Sequence, residues 1–279
     1  MTSRDEDGEL PEVGSWAETK YDLLRSYLTI FSTGMRKQWR MRIYVDLFTG
    51  AGRALIKGSK REVPTSGLIA LSMRFPFDRY VLCESSAKRM KSLRARVDRV
   101  KGALDVRFVS GDCNANIRRV LAELPPAGAR DALTACFVDP YGLSDLQFET
   151  LRQLAQDRPI DFLVLVPSRM DAHRNEVRLL AESEPILDKF LGNREWRARW
   201  EDISRRPGAP SFWLFVIEEF ARSMHALGYR RFLPEEAALV DAGGVPLYHL
   251  ALFSKHERGG DFWKKAKRSA NKQRDLFDG

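Results

Sequence analysis

Ile43-Tyr44-Val45-Asp46-Leu47-Phe48-Thr49-Gly50-Ala51-Gly52 is the stretch that decides the fold. An apolar run ends on a carboxylate, and two glycines one residue apart follow at once. Strands buried on both faces of a parallel sheet read as such runs. Open α/β sheets bind ligands beyond the carboxyl ends of their strands. Glycine at that edge lets the backbone come close to a bound molecule, because no Cβ intervenes. Alone, the stretch reads equally well as a plain turn, so the segments that follow decide between the two.

Those segments repeat the pattern. Arg79-Tyr80-Val81-Leu82-Cys83-Glu84 is a second apolar run ending in an acid, the position from which doubly wound sheets bind ribose hydroxyls. Val106-Arg107-Phe108-Val109-Ser110-Gly111-Asp112 is a third, and Leu133-Thr134-Ala135-Cys136-Phe137-Val138 runs into Asp139-Pro140-Tyr141-Gly142. An acid at one strand end is usually a solvated turn residue; acids after four successive strands point to one site. Asp139-Pro140-Tyr141-Gly142 also fits a type I turn, with Pro at the second position and Gly at the fourth.

The series resembles the class I S-adenosylmethionine-dependent methyltransferases. Their loop has the D-x-F-x-G-x-G form seen from Asp46 to Gly52, not the G-x-G-x-x-G of NAD enzymes. The resemblance implies that Asp46, Phe48, Thr49, Gly50 and Gly52 line the methionine part of S-adenosylmethionine. Glu84 would take the ribose hydroxyls, and Asp112, with Cys113 beside it, the adenine. Asp139, Pro140 and Tyr141 would be catalytic, in a tetrapeptide similar to that of tRNA guanine-N2 dimethyltransferases. Within the superfamily the chain looks most like the three-Cys-motif partner family, on the F-V-D-P-Y-G block, Lys20-Tyr21-x-x-Leu24-x-x-Tyr27, Trp196 and Ser254-Lys255-His256. That family is named for cysteines of a neighbouring protein.

Composition bounds the partners. At 279 residues the chain has room for one large α/β domain with an insertion. No stretch nears the ~20 apolar residues of a membrane span, and the start lacks signal-peptide order, so a cytoplasmic protein without membrane contact is expected. Cys83, Cys113 and Cys136 are too few and too spread for a disulfide framework or a metal site. Net charge is +8, and Lys255 to Arg274 holds eight Lys or Arg against two acids. That tail is either a solvated terminus or an arm contacting phosphates through Lys264, Lys265 and Arg268.

The expected organisation follows. Residues 1–14 are acidic and disordered, and 15–40 form a helix packing on the core, with Tyr21, Leu24, Tyr27, Leu28 and Phe31 at helical spacing. Residues 41–167 form a Rossmann-like core, interrupted by a long loop at Gly58–Gly67. A helical insertion or cap spans 168–227, a closing strand hairpin 228–254 turns at Asp241-Ala242-Gly243-Gly244, and 255–279 is the basic tail. The fold class is α/β: a Rossmann-like seven-stranded, mostly parallel sheet with helices on both faces. The resemblance implies an antiparallel last strand at its edge.

Arg169 and His173, after the fifth strand, are either phosphate contacts or a solvated helix start. Trp196 and Trp200 read as core of the insertion, Arg194, Arg197 and Arg199 as a solvated basic face, and His249 as structural. No phosphate-binding G-x-x-x-x-G-K-[ST] loop is present. Two functions remain open: an N-methyltransferase acting on a nucleobase exocyclic amine, in RNA before DNA, or a non-catalytic partner of a three-Cys-motif protein encoded nearby.

Overall fold

The computed structural model describes residues 8–100, 102–167, 175–181, 183, 185–242 and 245–277. The strands are β1 (Glu12–Val13), β2 (Met41–Asp46), β3 (Arg53–Ile56), β4 (Glu62–Pro64), β5 (Arg79–Glu84), β6 (Val106–Ser110), β7 (Ala132–Val138), β8 (Ile160–Val166), β9 (Ala238–Ala242) and β10 (Val245–Phe253). The helices are α1 (Trp16–Met35), α2 (Ser66–Leu71), α3 (Ala87–Val97), α4 (Ile117–Ala122), α5 (Phe148–Ala155), α6 (Glu176–Leu180), α7 (Ile186–Leu191), α8 (Trp196–Ser204), α9 (Phe212–Ala226) and α10 (Glu257–Phe277).

A seven-stranded sheet runs β6-β5-β2-β7-β8-β10-β9. β2 sits inside it, paired in parallel with β5 and β7, so that Val45 lies level with Val81 and Cys136. Every residue of β7 and β8 is buried, as continuous apolar runs demand in a sheet covered on both faces. One face packs on α1, α2, α3 and α10, where Tyr44, Tyr80 and Phe137 point. The other packs on α4 to α9, where Ile43, Val45 and Phe162 point.

The last strand corrects the sequence reading. β10 is not the edge: it lies between β8 and β9 and is antiparallel to both. β10 pairs with β8 from His249 to Phe253, all of them buried, so the more apolar strand takes the doubly flanked place. Gly243 and Gly244 of the expected turn lie outside the described residues.

Three other boundaries shift. Glu12 and Val13, expected to be disordered, pair with Leu55 and Ile56, and the expected loop at 58–67 holds the turn and second strand of the hairpin β3–β4, whose residues Ala54, Ile56 and Val63 are buried. The insertion is no separate cap: Leu179, Leu187, Phe190 and Trp196 join one apolar cluster with Phe162 of the sheet. The tail is not a frayed terminus either. It is α10, whose Trp263, Ala266 and Ala270 are buried, with Trp263 edge-on to Tyr27 at 6.3 Å. Lys264, Lys265 and Arg268 fall on its exposed face. Among the described residues, no helix is long and apolar enough to cross a membrane.

α1 and α10 meet the sheet at Asp161. This carboxylate is 9% exposed and accepts from Tyr27 Oη at 3.1 Å and from the Ser254 side chain. Burial pushes its carboxyl up to about 6, against which these hydrogen bonds act. The group therefore favours folding below its unfolded value near 3.8, and that stability is lost as pH rises through about 6. Asp161→Asn should flatten the decline between pH 4 and 7 by about 3 kcal/mol, read from urea midpoints; an unchanged decline would contradict the buried carboxyl.

Candidate functional site

Strand order reverses at β2. The chain passes from β2 to β5 on one side, then returns to β7 on the other, so the loops after β2 and β7 diverge and leave a crevice at the carboxyl edge. Asp46 ends β2 and lies level with Leu82 and Phe137. Glu84 ends β5, Asp112 follows β6 by two residues, and Asp139 follows β7 directly. The fold thus gathers on one edge all four acids singled out in the sequence.

The loop after β2 straddles both neighbours before turning. Leu47 N–H donates to the Phe137 carbonyl at 3.2 Å and Thr49 N–H to the Cys83 carbonyl at 3.0 Å. Gly50 and Gly52 then take φ of +72° and +88°, the left-handed region that favours glycine. Their surroundings differ. A Cβ on Gly52 would meet Leu93 Cδ1 at 3.2 Å, whereas one on Gly50 would find nothing nearer than Thr65 Oγ1 at 3.9 Å. Gly52 serves packing, and Gly50 keeps space open beside the crevice. Gly50 N–H donates to Glu84 Oε2 at 3.0 Å and Ser86 N–H to Oε1 at 2.8 Å, fixing that carboxylate between two loops.

Asp46 is sealed, contrary to its expected place on the ligand surface. It is fully buried and accepts from Tyr44 Oη at 2.9 Å, Phe48 N–H at 3.2 Å and the Ser66 side chain. Burial, the largest cause, still pushes its carboxyl up to about 6. Its role is to hold the start of the loop and the start of α2. Phe48 is half-buried; Thr49 is fully buried, and its Oγ1 has no hydrogen-bond partner among the described residues. The Cys113 side chain is likewise turned into the core at 2% exposure, which leaves only its backbone to the edge. Burial raises all three thiols, Cys83 to about 12. Among the described residues, no three His, Cys, Asp or Glu cluster as metal ligands.

On the far side of the crevice the two later loops are stitched together. Asp112 is exposed and accepts from Ala115 N–H at 2.8 Å. Asn114 donates to the Asp145 carbonyl at 2.8 Å and accepts from Gln147 N–H at 2.9 Å. Asp145 in turn accepts from Gly142 N–H at 2.9 Å, closing the Asp139–Gly142 turn. Pro140 is buried, while Tyr141, the next residue, is 89% exposed. The braced turn thus holds a large aromatic ring in solvent.

Lys20 was not read as a site residue, yet α1 carries it here. Its Nζ lies 2.5 Å from Asp139 Oδ2, and it is 4% exposed. The sequence showed Lys20 only as part of a helix motif, and a lysine on an otherwise apolar face was the one available signal. Arg169 and His173 lie outside the described residues. Lys264, Lys265 and Arg268 belong to α10, which packs along α1, not to the crevice wall. Trp196 is buried and donates to Asp188 at 2.9 Å. The arginines around it are ion-paired, not merely solvated: Arg199 with Glu219 at 2.5 Å and Arg197 with Asp188 at 3.3 Å. His249 stacks on Trp213 at 5.2 Å.

No family model and no curated protein matches the chain. Among solved structures it is similar to Trm1 from Pyrococcus horikoshii in complex with S-adenosyl-L-methionine (TM-score 0.44, 12% identity, covering 87% of this chain and 56% of that one). It is also similar to a DUF574 family protein from Streptomyces avermitilis (0.44, 14%, covering 84% and 83%) and to M. jannaschii TYW2 in complex with AdoMet (0.36, 11%, covering 81% and 74%). The chain thus spans little more than half the length of that Trm1 chain. At such identities and TM-scores these likenesses carry no argument about this chain's chemistry.

The tightness of the loop can be tested at α2. A Cβ on Gly67 would lie 2.5 Å from Thr49 Oγ1. Gly→Ala inside a helix ordinarily adds up to ~1 kcal/mol; here Gly67→Ala should instead cost ~1–3 kcal/mol by urea unfolding. A stabilised variant would contradict the packing of Thr49 beneath the loop.

Proposed function

We propose that this chain is an S-adenosylmethionine-dependent N-methyltransferase acting on the exocyclic amine of a nucleobase, in RNA before DNA. The observation that carries this reading is the pairing, on one braced turn, of a carboxylate with an exposed aromatic ring: Asp139 and Tyr141, at the switch point of the sheet. The residues of the other loop fit the cofactor. Gly50 leaves open space that a Cβ would fill, Glu84 ends the second strand at the ribose-binding position, and Asp112 is exposed at the end of the third.

When bound, S-adenosylmethionine supplies a methyl carbon on a positively charged sulfur, and the C–S pair stays on sulfur as the new N–C bond forms. The protein's part is positioning and charge placement. An exocyclic amine has its lone pair drawn into the ring. A carboxylate and the Pro140 carbonyl, accepting its two hydrogens, favour the nitrogen becoming tetrahedral, and Asp139 takes the proton the amine sheds. Tyr141 offers a face on which an unstacked base can lie, and accessible unstacked bases are commonest in RNA loops. The exposed Lys264, Lys265 and Arg268 on α10 supply charge for the phosphate backbone.

Asp139→Ala should lower tritium transfer from labelled cofactor to cellular RNA by roughly 100-fold or more, with calorimetric cofactor affinity within a few-fold of wild type. Tyr141→Ala should weaken RNA binding by ~1–3 kcal/mol, the worth of one stacked base. Full transfer activity in Asp139→Ala would overturn the amine-accepting role.

A further inference from the structure

The cation at Asp139 is held too firmly to be a passing surface contact. Lys20 Nζ sits 4.9 Å from the ring centroids of both Trp16 and Tyr21, on its own helix, while it reaches Asp139 Oδ2. Trp16 packs in turn on Tyr248 of β10 at 4.8 Å. Ammonium groups over aromatic faces are stabilised where they are partly desolvated, so the two rings fix the lysine's direction as well as its place. A lysine so caged cannot swing like an exposed one.

Among the described residues, the groups that interact with Asp139 include Lys20 and Tyr21 from α1 and Tyr44 and Asp46 from β2. Two of these neighbours are phenols and one is the buried carboxylate of Asp46; Lys20 is the cation among them. The pairing also sorts the two oxygens of Asp139. Oδ2 is taken by Lys20, while Oδ1 accepts no hydrogen bond from the described residues.

We infer that Lys20 is a positioning residue for the transfer reaction, holding Asp139 by Oδ2 so that Oδ1 is presented to the substrate amine. The inference rests on the reading of Asp139 as the amine acceptor. It also narrows the substrate. With one charge already matched by an ammonium, the carboxylate offers a hydrogen-bond acceptor and little net charge, which suits a neutral planar amine better than an alkylammonium.

Two measurements on the full chain separate this inference from the activity on which it rests. In 1H–15N spectra of lysine-labelled protein, a buried, paired ammonium exchanges slowly enough to be seen. Lys20 should give such a signal, deleted in Lys20→Met and shifted or lost in Asp139→Asn. In transfer assays Lys20→Met should lose about 10- to 100-fold in kcat with the KM for cofactor within a few-fold, and Lys20→Arg should recover most of the loss. Circular dichroism checks that each variant folds. A Lys20 signal indifferent to Asp139→Asn would overturn the pairing, whether or not the protein transfers methyl groups. Wild-type kcat in a folded Lys20→Met would overturn the positioning role while leaving the methyltransferase reading intact.

Discussion

Everything at this site depends on β2 lying inside the sheet, with the chain passing to β5 on one side of it and then to β7 on the other. That reversal parts the loops at one edge only, and the parted loops need support because their backbone groups cannot all pair with one another. Asp46 supplies it. Burying a carboxylate costs several kcal/mol unless it is hydrogen-bonded, and this one accepts from Tyr44, Phe48 and Ser66 on three successive pieces of the chain. The loop that carries Gly50 is thereby fixed from below.

α1 fixes the same edge from the side. Asp161 lies level with Ala135 on β7, four residues before Asp139, or ~13 Å at the rise of a strand. Lys20 and Tyr27, which hold these two acids, are seven residues apart, ~10 Å along a helix and nearly on one face. The helix is therefore pinned to the sheet at two heights by two side chains in register. α10 locks it from outside through Trp263. One element serves folding and site geometry together, so substitutions at Lys20 and at Tyr27 separate the two roles.

Much of this was legible in the sequence. The apolar runs ending at Asp46, Glu84 and Val138 reveal themselves because a strand buried on both faces has no alternation to obscure it. The order of acids after them carries the site. Other features were hidden for physical reasons. β10 enters between β8 and β9 because of a pairing choice, and pairing is not written in local periodicity. Among the described side chains of α10, Trp263 is the one large buried group, beside the small Ala266 and Ala270, so its charge masked its amphipathicity. Lys20 was invisible as a site residue because its partner lies 119 residues away. Asp46 was misplaced because a strand-end acid reads the same whether it faces a ligand or braces the loop that does.

Whether the parted loops hold S-adenosylmethionine is decided by calorimetric titration of the purified chain. Micromolar binding of both S-adenosylmethionine and S-adenosylhomocysteine, lost in Gly50→Val, is the predicted result. No measurable binding of either by the folded wild-type protein would contradict it.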